Sequence, residues 1–264
     1  MITIDCQGKK ALVCGSTQGI GKAIAVKLAE AGATITLAAR NEDSLKAVCA
    51  ELPRPAKQQH DYIVADFSIA SHVQSSIEEY LQAHKETFHI LINNTGGPAP
   101  SAIHQAQAED FIAAISQHLL CNHYLVQALL PAMKEAHYGR IINIISTSVK
   151  QPIPNLGVSN TTRGAVFSWA KTLSFEVAKF GITVNNILPG YITTSRLESL
   201  VQGTATAQQK SADETRAAMI ATIPAGRFGS PEDLANVAAF LASPLSGYIN
   251  GTSIAVDGGR TTAL

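Results

Sequence analysis

The sequence is poor in charge and has no excess of either sign. Charged residues make up 15% of its 264 residues, and the 20 basic side chains equal the 20 acidic ones. Proteins that bind nucleic acid or an anionic membrane concentrate positive charge on one surface. We therefore expect no nucleic-acid partner and no membrane partner.

Paired cysteines, a leader and long apolar runs are also missing. The four cysteines, Cys6, Cys14, Cys49 and Cys121, are scattered, so we expect neither a disulfide framework nor a metal site. The first ten residues (MITIDCQGKK) do not resemble a signal peptide. No apolar run approaches the roughly 18 residues that span a membrane. These absences predict a cytoplasmic protein.

Short apolar runs alternate with helical patterns along the whole chain. We predict strands at 10–14, 33–39, 62–66, 89–94, 140–146, 182–188 and 252–257, and helices at 20–31, 41–52, 69–86, 107–136, 160–180 and 230–243. Continuous apolar strands separated by helices are typical of a parallel sheet that is covered on both faces. The pattern predicts one doubly wound α/β domain over residues 1–264. A polar, weakly patterned stretch at 195–217 is a candidate substrate lid.

A glycine-rich turn follows the first predicted strand. It comprises Gly15, Ser16, Thr17, Gln18, Gly19, Ile20 and Gly21. Glycines let the backbone approach a diphosphate, and the next helix offers free N–H groups and a positive dipole end. The turn therefore predicts a nucleotide site, and a tight turn without a ligand is the alternative.

Four motifs together resemble the short-chain dehydrogenase/reductase family. They are the Gly-x-x-x-Gly-x-Gly turn, NNTGG (93–97), PGYITT (189–194) and VDGG (256–259), and the chain looks most similar to bacterial 3-oxoacyl-ACP reductase-like members. The resemblance implies a Rossmann-type fold with a seven-stranded sheet. It also implies hydride transfer between NAD(P)(H) and a small carbonyl or alcohol substrate.

The resemblance assigns cofactor roles to residues that follow the strands. They are Asp66 and Phe67 at the adenine, Asn94 and Gly96 after the fourth strand, and Pro189, Gly190 and Ile192 in the loop near the nicotinamide. Ala39 stands where members that prefer NAD carry an acid, and Arg40 follows it. Because a guanidinium suits a 2′-phosphate, we predict NADP(H) over NAD(H). An arginine that only caps the strand end is the alternative.

The family's reaction site uses Asn, Ser, Tyr and Lys, and only the serine is retained, as Ser146. Ser159 stands in the place of the tyrosine, Arg163 in that of the lysine and His118 in that of the asparagine. A serine hydroxyl is a poorer proton donor than a phenol, and arginine stays charged. Ser159 and Arg163 therefore do not rebuild the missing pair.

Other interpretations of these positions stay open. Ser159 is alternatively a helix N-cap, Arg163 a solvated helix residue or a ligand of the cofactor ribose, and His118 a packed core residue. His118 has an ordinary pKa near 6.5, which suits proton transfer. Tyr191 and Lys150 are further candidate donors.

Two functions remain open at this point. The first is a divergent oxidoreductase with a non-standard proton donor, and the second is a non-catalytic NADP-binding protein, such as a redox sensor or partner subunit. The loops TGGPAPSAI and KQPIPNLGV are nearly uncharged, which argues against a strongly anionic substrate. The apolar helices at 107–136 and 160–180 pair across a two-fold axis in the resembled family, so we expect a homotetramer.

Overall fold

A sheet of seven parallel strands forms the centre of the protein, which a computed structural model describes over residues 3–263. The strands are β1 Lys10–Cys14, β2 Thr34–Ala39, β3 Asp61–Val64, β4 Ile90–Asn93, β5 Gly139–Ile144, β6 Ile182–Pro189 and β7 Ser253–Val256. Their order across the sheet is β3-β2-β1-β4-β5-β6-β7. The predicted Rossmann-type sheet is confirmed.

Helices connect the strands. They are α1 Gly19–Glu30, α2 Glu42–Glu51, α3 Ala70–His84, α4 Ala108–Ile115, α5 Cys121–Glu135, α6 Gly157–Val177, α7 Ser195–Gln208, α8 Ala212–Ala221 and α9 Pro231–Ala242. The prediction of one helix over 107–136 is wrong in detail, because a π-helical segment, Ser116–Leu120, separates α4 from α5. Such segments occur often at functional sites. No helix of the described region is long and apolar enough to cross a membrane.

The helices cover both faces of the sheet. Alternate residues of a strand point to opposite faces, so Ala11 and Val13 join one core while Leu12 and Cys14 join the other. The first core is completed by α1, α2 and α9, and the second by α3, α5 and α6. This two-sided burial explains why the strands are continuous apolar runs, and it confirms the doubly wound prediction.

The stretch 195–217 is more regular than its polar composition indicates. It forms α7 and most of α8, because Leu197, Val201 and Ala205 lie at helical spacing and are buried. The Thr194 side chain caps α7 by accepting a hydrogen bond from the amide of Leu197. The candidate substrate lid is therefore helical, and its role as a lid stays a prediction.

A ladder of buried amides crosses the carboxyl half of the sheet. The Nδ2 of Asn93 donates to Oδ1 of Asn143 at 2.8 Å, and the Nδ2 of Asn143 donates to Oδ1 of Asn186 at 2.9 Å. Asn186 in turn donates to Oγ of Ser253 at 3.0 Å. Each bond joins residues that are direct partners in the strand register. The ladder ties β4, β5, β6 and β7 together just below the edge where ligands bind in such sheets.

Candidate active site

The glycine-rich turn follows β1 at the point where the strand order reverses between β1 and β4, which is the position of the ligand crevice in open α/β sheets. Gly15 and Gly19 have φ angles of +58° and +54°, which L side chains rarely adopt. A Cβ at Gly21 would lie 2.1 Å from the carbonyl oxygen of Gly15. The turn is therefore built for backbone to approach a ligand, and only glycine fits at these places.

The start of α1 has unused hydrogen-bond donors. Its N-cap residue, Gln18, has an extended backbone, and its side chain accepts no hydrogen bond from the helix. The free N–H groups and the helix dipole suit a diphosphate. Asn94 braces this turn, because its Nδ2 donates to the carbonyl oxygens of Cys14 and Gly15, each at 3.2 Å.

Side chains of the turn differ in their accessibility. The Ser16 side chain is fully buried, and its Oγ accepts from the amide of Ala38 at 3.2 Å. Ser16 therefore offers a ligand its backbone rather than its hydroxyl. Thr17, Gln18 and Ile20 keep partial or full exposure beside the helix start.

Arg40 and Asp66 lie at the ends of β2 and β3. Arg40 is exposed, and within residues 3–263 its side chain makes no hydrogen bond or ion pair. Hydrogen bonds from Ser68 lower the pKa of Asp66, and the charge of Arg40 adds to this effect. Asp66 is thus ionised, and Arg40 is a free cation at the place where a 2′-phosphate is expected. The Phe67 side chain is buried in the second core, so it underlies this region instead of projecting from it.

The loop after β6 fits closely against the last strand. The amide of Gly190 donates to the carbonyl of Val256 at 3.0 Å, and a Cβ at Gly190 would lie 2.7 Å from Asp257. The side chain of Ile192 is buried in the first core. A nicotinamide contact at Ile192 therefore has to come from its backbone. Pro189 is the last residue of β6 and aims this loop across the edge of the sheet.

Ser146 follows β5 and caps a short 3-10 helix, Thr147–Val149. Its Oγ accepts from the amide of Ser148 at 3.1 Å, and the residue keeps partial exposure. Because that bond uses only a lone pair, the hydroxyl proton stays free to donate to a substrate oxygen.

Ser159 and Arg163 lie one turn apart on α6. The helix begins at Gly157 and its N-cap is Leu156, so the N-cap interpretation of Ser159 is wrong. Ser159 is 9% exposed, and its hydroxyl has no hydrogen-bond partner within the described region. The serine is therefore available to a ligand, yet no neighbouring base activates it.

Arg163 is buried, so its interpretation as a solvated helix residue is wrong. It is 8% exposed, and its Nη1 donates to the carbonyl of Ile144 at 3.0 Å. Its Nη2 donates to the carbonyl of Thr95 at 3.4 Å. Burial lowers the pKa of Arg163 to about 10, with a further contribution from the charge of Arg196. The guanidinium still carries its charge at neutral pH and joins the loops after β4 and β5.

His118 lies in the π-helical segment and is 1% exposed. Its Nδ1 is 2.6 Å from Oγ1 of Thr95, and its buried Nε2 has no hydrogen-bond partner among residues 3–263. Burial, followed by the charges of Arg163 and Arg196, lowers the pKa of His118 to about 2. The imidazole is neutral throughout the physiological range, so the ordinary pKa of 6.5 does not apply here, and the interpretation of His118 as a packed residue fits its burial.

Tyr191 and Lys150 are the two other candidate proton donors. The hydroxyl of Tyr191 accepts from Nη2 of Arg260 at 3.0 Å, and the guanidinium of Arg260 lies 4.2 Å from the centre of the tyrosine ring. Lys150 is exposed. Tyr191 is thus engaged in packing the loop against the C-terminal segment.

Sequence reasoning missed three residues that hold the loop after β4. They are Thr95, Gln117 and Arg196. The Nε2 of Gln117 donates to the carbonyl of Gly96 at 3.1 Å, and Arg196 donates to the carbonyls of Gly97 and Pro98 at 2.9 and 3.2 Å. A signal was present only for Thr95, which replaces the alanine of the resembled Asn-Asn-Ala-Gly motif.

Comparisons with known proteins agree with this arrangement. The profile of a family described as enoyl-(acyl carrier protein) reductase matches residues 15–261. The 3-oxoacyl-[acyl-carrier-protein] reductase FabG of Haemophilus influenzae is 36% identical over 258 residues, which cover 96% of this chain and 98% of that protein. The NADPH-dependent reductase BacG of Bacillus subtilis is 31% identical over 256 residues, which cover 97% and 99%.

A solved structure extends the likeness to three dimensions. L-sorbose reductase from Gluconobacter frateurii, complexed with NADPH and L-sorbose, has a TM-score of 0.92 at 30% identity, with 100% of both chains covered. Since the profile, the full-length relatives and the sheet all agree, this chain belongs to the short-chain dehydrogenase/reductase family.

Proposed function

We propose that this protein is an NADP(H)-dependent oxidoreductase that reduces a carbonyl group or oxidises an alcohol on a small molecule. The observation that carries the proposal is the placement of Ser146 at the same sheet edge as the glycine turn of α1. Relatives along the whole chain support it, because BacG is an NADPH-dependent reductase and FabG a 3-oxoacyl-ACP reductase.

NADP(H) is the preferred cofactor. Arg40 is an exposed cation without a partner among the described residues, and the preceding Ala39 is not an acid. A guanidinium at this place favours a phosphate on the ribose over a hydroxyl. The NADPH in the L-sorbose reductase structure and the NADPH dependence of BacG support the same preference.

Different residues of the chain bind different parts of the dinucleotide. The backbone of Gly15, Gly19 and Gly21 holds the diphosphate at the start of α1, and Asn94 keeps that turn in place. Arg163 hydrogen-bonds the ribose next to the nicotinamide with the N–H groups that it does not use on Thr95 and Ile144. The bound dinucleotide supplies or accepts the hydride.

Proton transfer uses a non-standard donor. Ser146 hydrogen-bonds the substrate oxygen, where negative charge grows in reduction. His118 is neutral and its pKa of about 2 makes its protonated form rare, while Arg260 holds the Tyr191 side chain against the C-terminal segment. An ordered water that enters beside Ser159 is the donor that these surroundings favour.

A test of this function is the oxidation of NADPH across a panel of ketones and acyl thioesters. Absorbance of the nicotinamide is followed, and nucleotide binding is titrated in parallel. We expect turnover of at least one carbonyl compound that Ser146→Ala reduces. Tight NADP binding without turnover of any carbonyl or alcohol would replace this proposal with the non-catalytic NADP-binding protein.

A further inference from the structure

Four consecutive backbone carbonyls after β4 all accept hydrogen bonds from side chains. In the segment Thr95–Pro98, Arg163 holds the first carbonyl, Gln117 the second, and Arg196 the third and fourth. These three side chains come from α6, the π-helical segment and α7. Two guanidinium groups therefore converge on one short loop at the sheet edge where Ser146 lies, and this edge is the proposed substrate pocket.

Neither guanidinium has an anionic partner. Within residues 3–263, no carboxylate forms an ion pair with Arg163 or Arg196. A guanidinium has five N–H groups, and each of these two arginines donates to two carbonyl oxygens, one from Nη1 and one from Nη2. Both cations therefore keep unused donors.

The two charges also act on each other. Burial lowers the pKa of both arginines, and the charge of Arg196 lowers that of Arg163 further. Withdrawing a cation from water without a counter-ion is costly. A bound anion would offset that cost, and Arg196 is accessible to it because the residue stays exposed to solvent.

The packing at Gly97 shows how close Arg196 comes to the loop. A Cβ at Gly97 would lie 2.7 Å from Nη2 of Arg196. A side chain at position 97 would displace the guanidinium, so the glycine lets Arg196 lie against the backbone of this loop. Arg196 therefore joins α7, which follows the cofactor loop of β6, to the loop after β4.

We propose that Arg196 forms an anion subsite, to which Arg163 contributes its charge but no hydrogen bond, and that this subsite selects substrates with a carboxylate group in addition to the reacting carbonyl or hydroxyl. The proposal rests on the function proposed above, because it concerns the same pocket. A planar fork of donors matches a carboxylate better than a neutral amide or ester. The substrate is thus an oxo- or hydroxycarboxylate, contrary to what the uncharged loops alone indicate.

A binding measurement tests the subsite without turnover. Malonate and the neutral malonamide are titrated calorimetrically into protein saturated with NADP⁺. We expect malonate to bind and malonamide to bind far more weakly. Arg196→Gln should weaken malonate binding by about ten- to a hundredfold, the equivalent of one charge-assisted hydrogen bond.

Two control variants distinguish the loss of the Arg196 guanidinium from a general loss of charge or of folding. Arg54→Gln removes an exposed arginine whose side chain, within the described part of the chain, bonds only the carbonyl of Cys49, and it should leave malonate affinity unchanged. Arg196→Lys keeps the charge without the fork and should give an intermediate affinity. This second variant keeps the test valid if Arg196→Gln does not fold.

Three results would overturn the subsite. They are equal binding of malonate and malonamide, an unchanged affinity in both Arg196 variants, and malonate that competes with NADP⁺ instead of binding the loaded protein. The last result would assign the anion to the phosphate site at α1. If NADP⁺ itself does not bind, the proposed function fails, and titration of the free protein with malonate still decides on the subsite.

Discussion

Thr95 and His118 form a short hydrogen bond, with 2.6 Å between Oγ1 and Nδ1. The bond holds the imidazole against the loop after β4, where Arg163 and Arg196 also converge. Burial of the imidazole, and after it the charges of Arg163 and Arg196, disfavour a proton on the ring and lower the pKa of His118 to about 2. His118 is therefore a neutral positioning residue for Thr95.

The first prediction concerns pH and His118. Its imidazole NMR signals should not titrate between pH 5 and 8. The pKa of His118 is about 2 in the folded protein and 6.5 as the ordinary value, so below pH 6.5 the unfolded chain binds a proton that the folded one does not. Stability from this group is full above pH 6.5 and falls by about 1.4 kcal/mol per pH unit as the pH drops below it.

Two variants check that assignment by denaturant unfolding at pH 7 and pH 5. His118→Gln keeps a partner for Thr95 and should lose less stability on acidification than the wild type. His104→Gln, at an exposed histidine, should behave like the wild type. An identical pH dependence in His118→Gln and the wild type would contradict the lowered pKa.

The fold was predictable because burial on both faces imposes a simple pattern on the strands. The site was predictable only where a ligand fixes the backbone, as at Gly15 and Gly21. The burial of Arg163 and the contact of Arg196 with Gly97 were not predictable. They depend on segments that are 68 and 99 residues apart in the chain. The spacing of apolar residues along the sequence does not indicate such long-range contacts.

The second prediction concerns cofactor choice. Arg40→Ala should weaken NADP⁺ binding by about ten- to a hundredfold, because it removes a charge-assisted bond to the 2′-phosphate. NAD⁺ affinity should change little, and both are measured by titration. Arg54→Ala is the control at another exposed arginine. An equal loss of affinity for NADP⁺ and NAD⁺ in Arg40→Ala would show that Arg40 does not bind the 2′-phosphate.

The third prediction concerns the amide ladder. Asn143→Ala leaves two buried groups without partners, Nδ2 of Asn93 and Oδ1 of Asn186, whereas Asn93→Ala leaves only Oδ1 of Asn143. Each unpaired buried group costs about 1–3 kcal/mol. Asn143→Ala should therefore destabilise the protein about twice as much as Asn93→Ala in urea unfolding. Equal losses would mean that the ladder does not act as a chain of bonds.

The fourth prediction concerns assembly. Phe167 and Phe175 on α6 are 36% and 72% exposed, and such an apolar surface is typical of an interface. Light scattering at micromolar concentration should give a homotetramer, and Phe175→Glu should give smaller species. Ile69→Glu, at an exposed residue before α3, should not change the mass. A wild-type mass equal to that of a single chain would rule out the tetramer.

The last prediction concerns Ser159 and the missing phenol. General acid–base groups contribute about 10²–10⁴ in rate, and Ser159 has no base beside it to supply such a factor. Ser159→Ala should therefore keep turnover within about tenfold of the wild type. Ser146→Ala should lose more, since Ser146 donates to the oxygen on which charge develops.

Arg163→Ala completes this series in steady-state kinetics with NADPH. It should chiefly raise the KM for cofactor, because it removes the ribose ligand and releases the carbonyl of Thr95. Arg163→Lys should recover part of that loss through its retained charge. If Ser159→Ala alone abolished turnover while NADPH still bound normally, Ser159 would be the proton donor. Proton donation by an ordered water would then be wrong, because the Ser159 hydroxyl itself would take the role of the family's tyrosine.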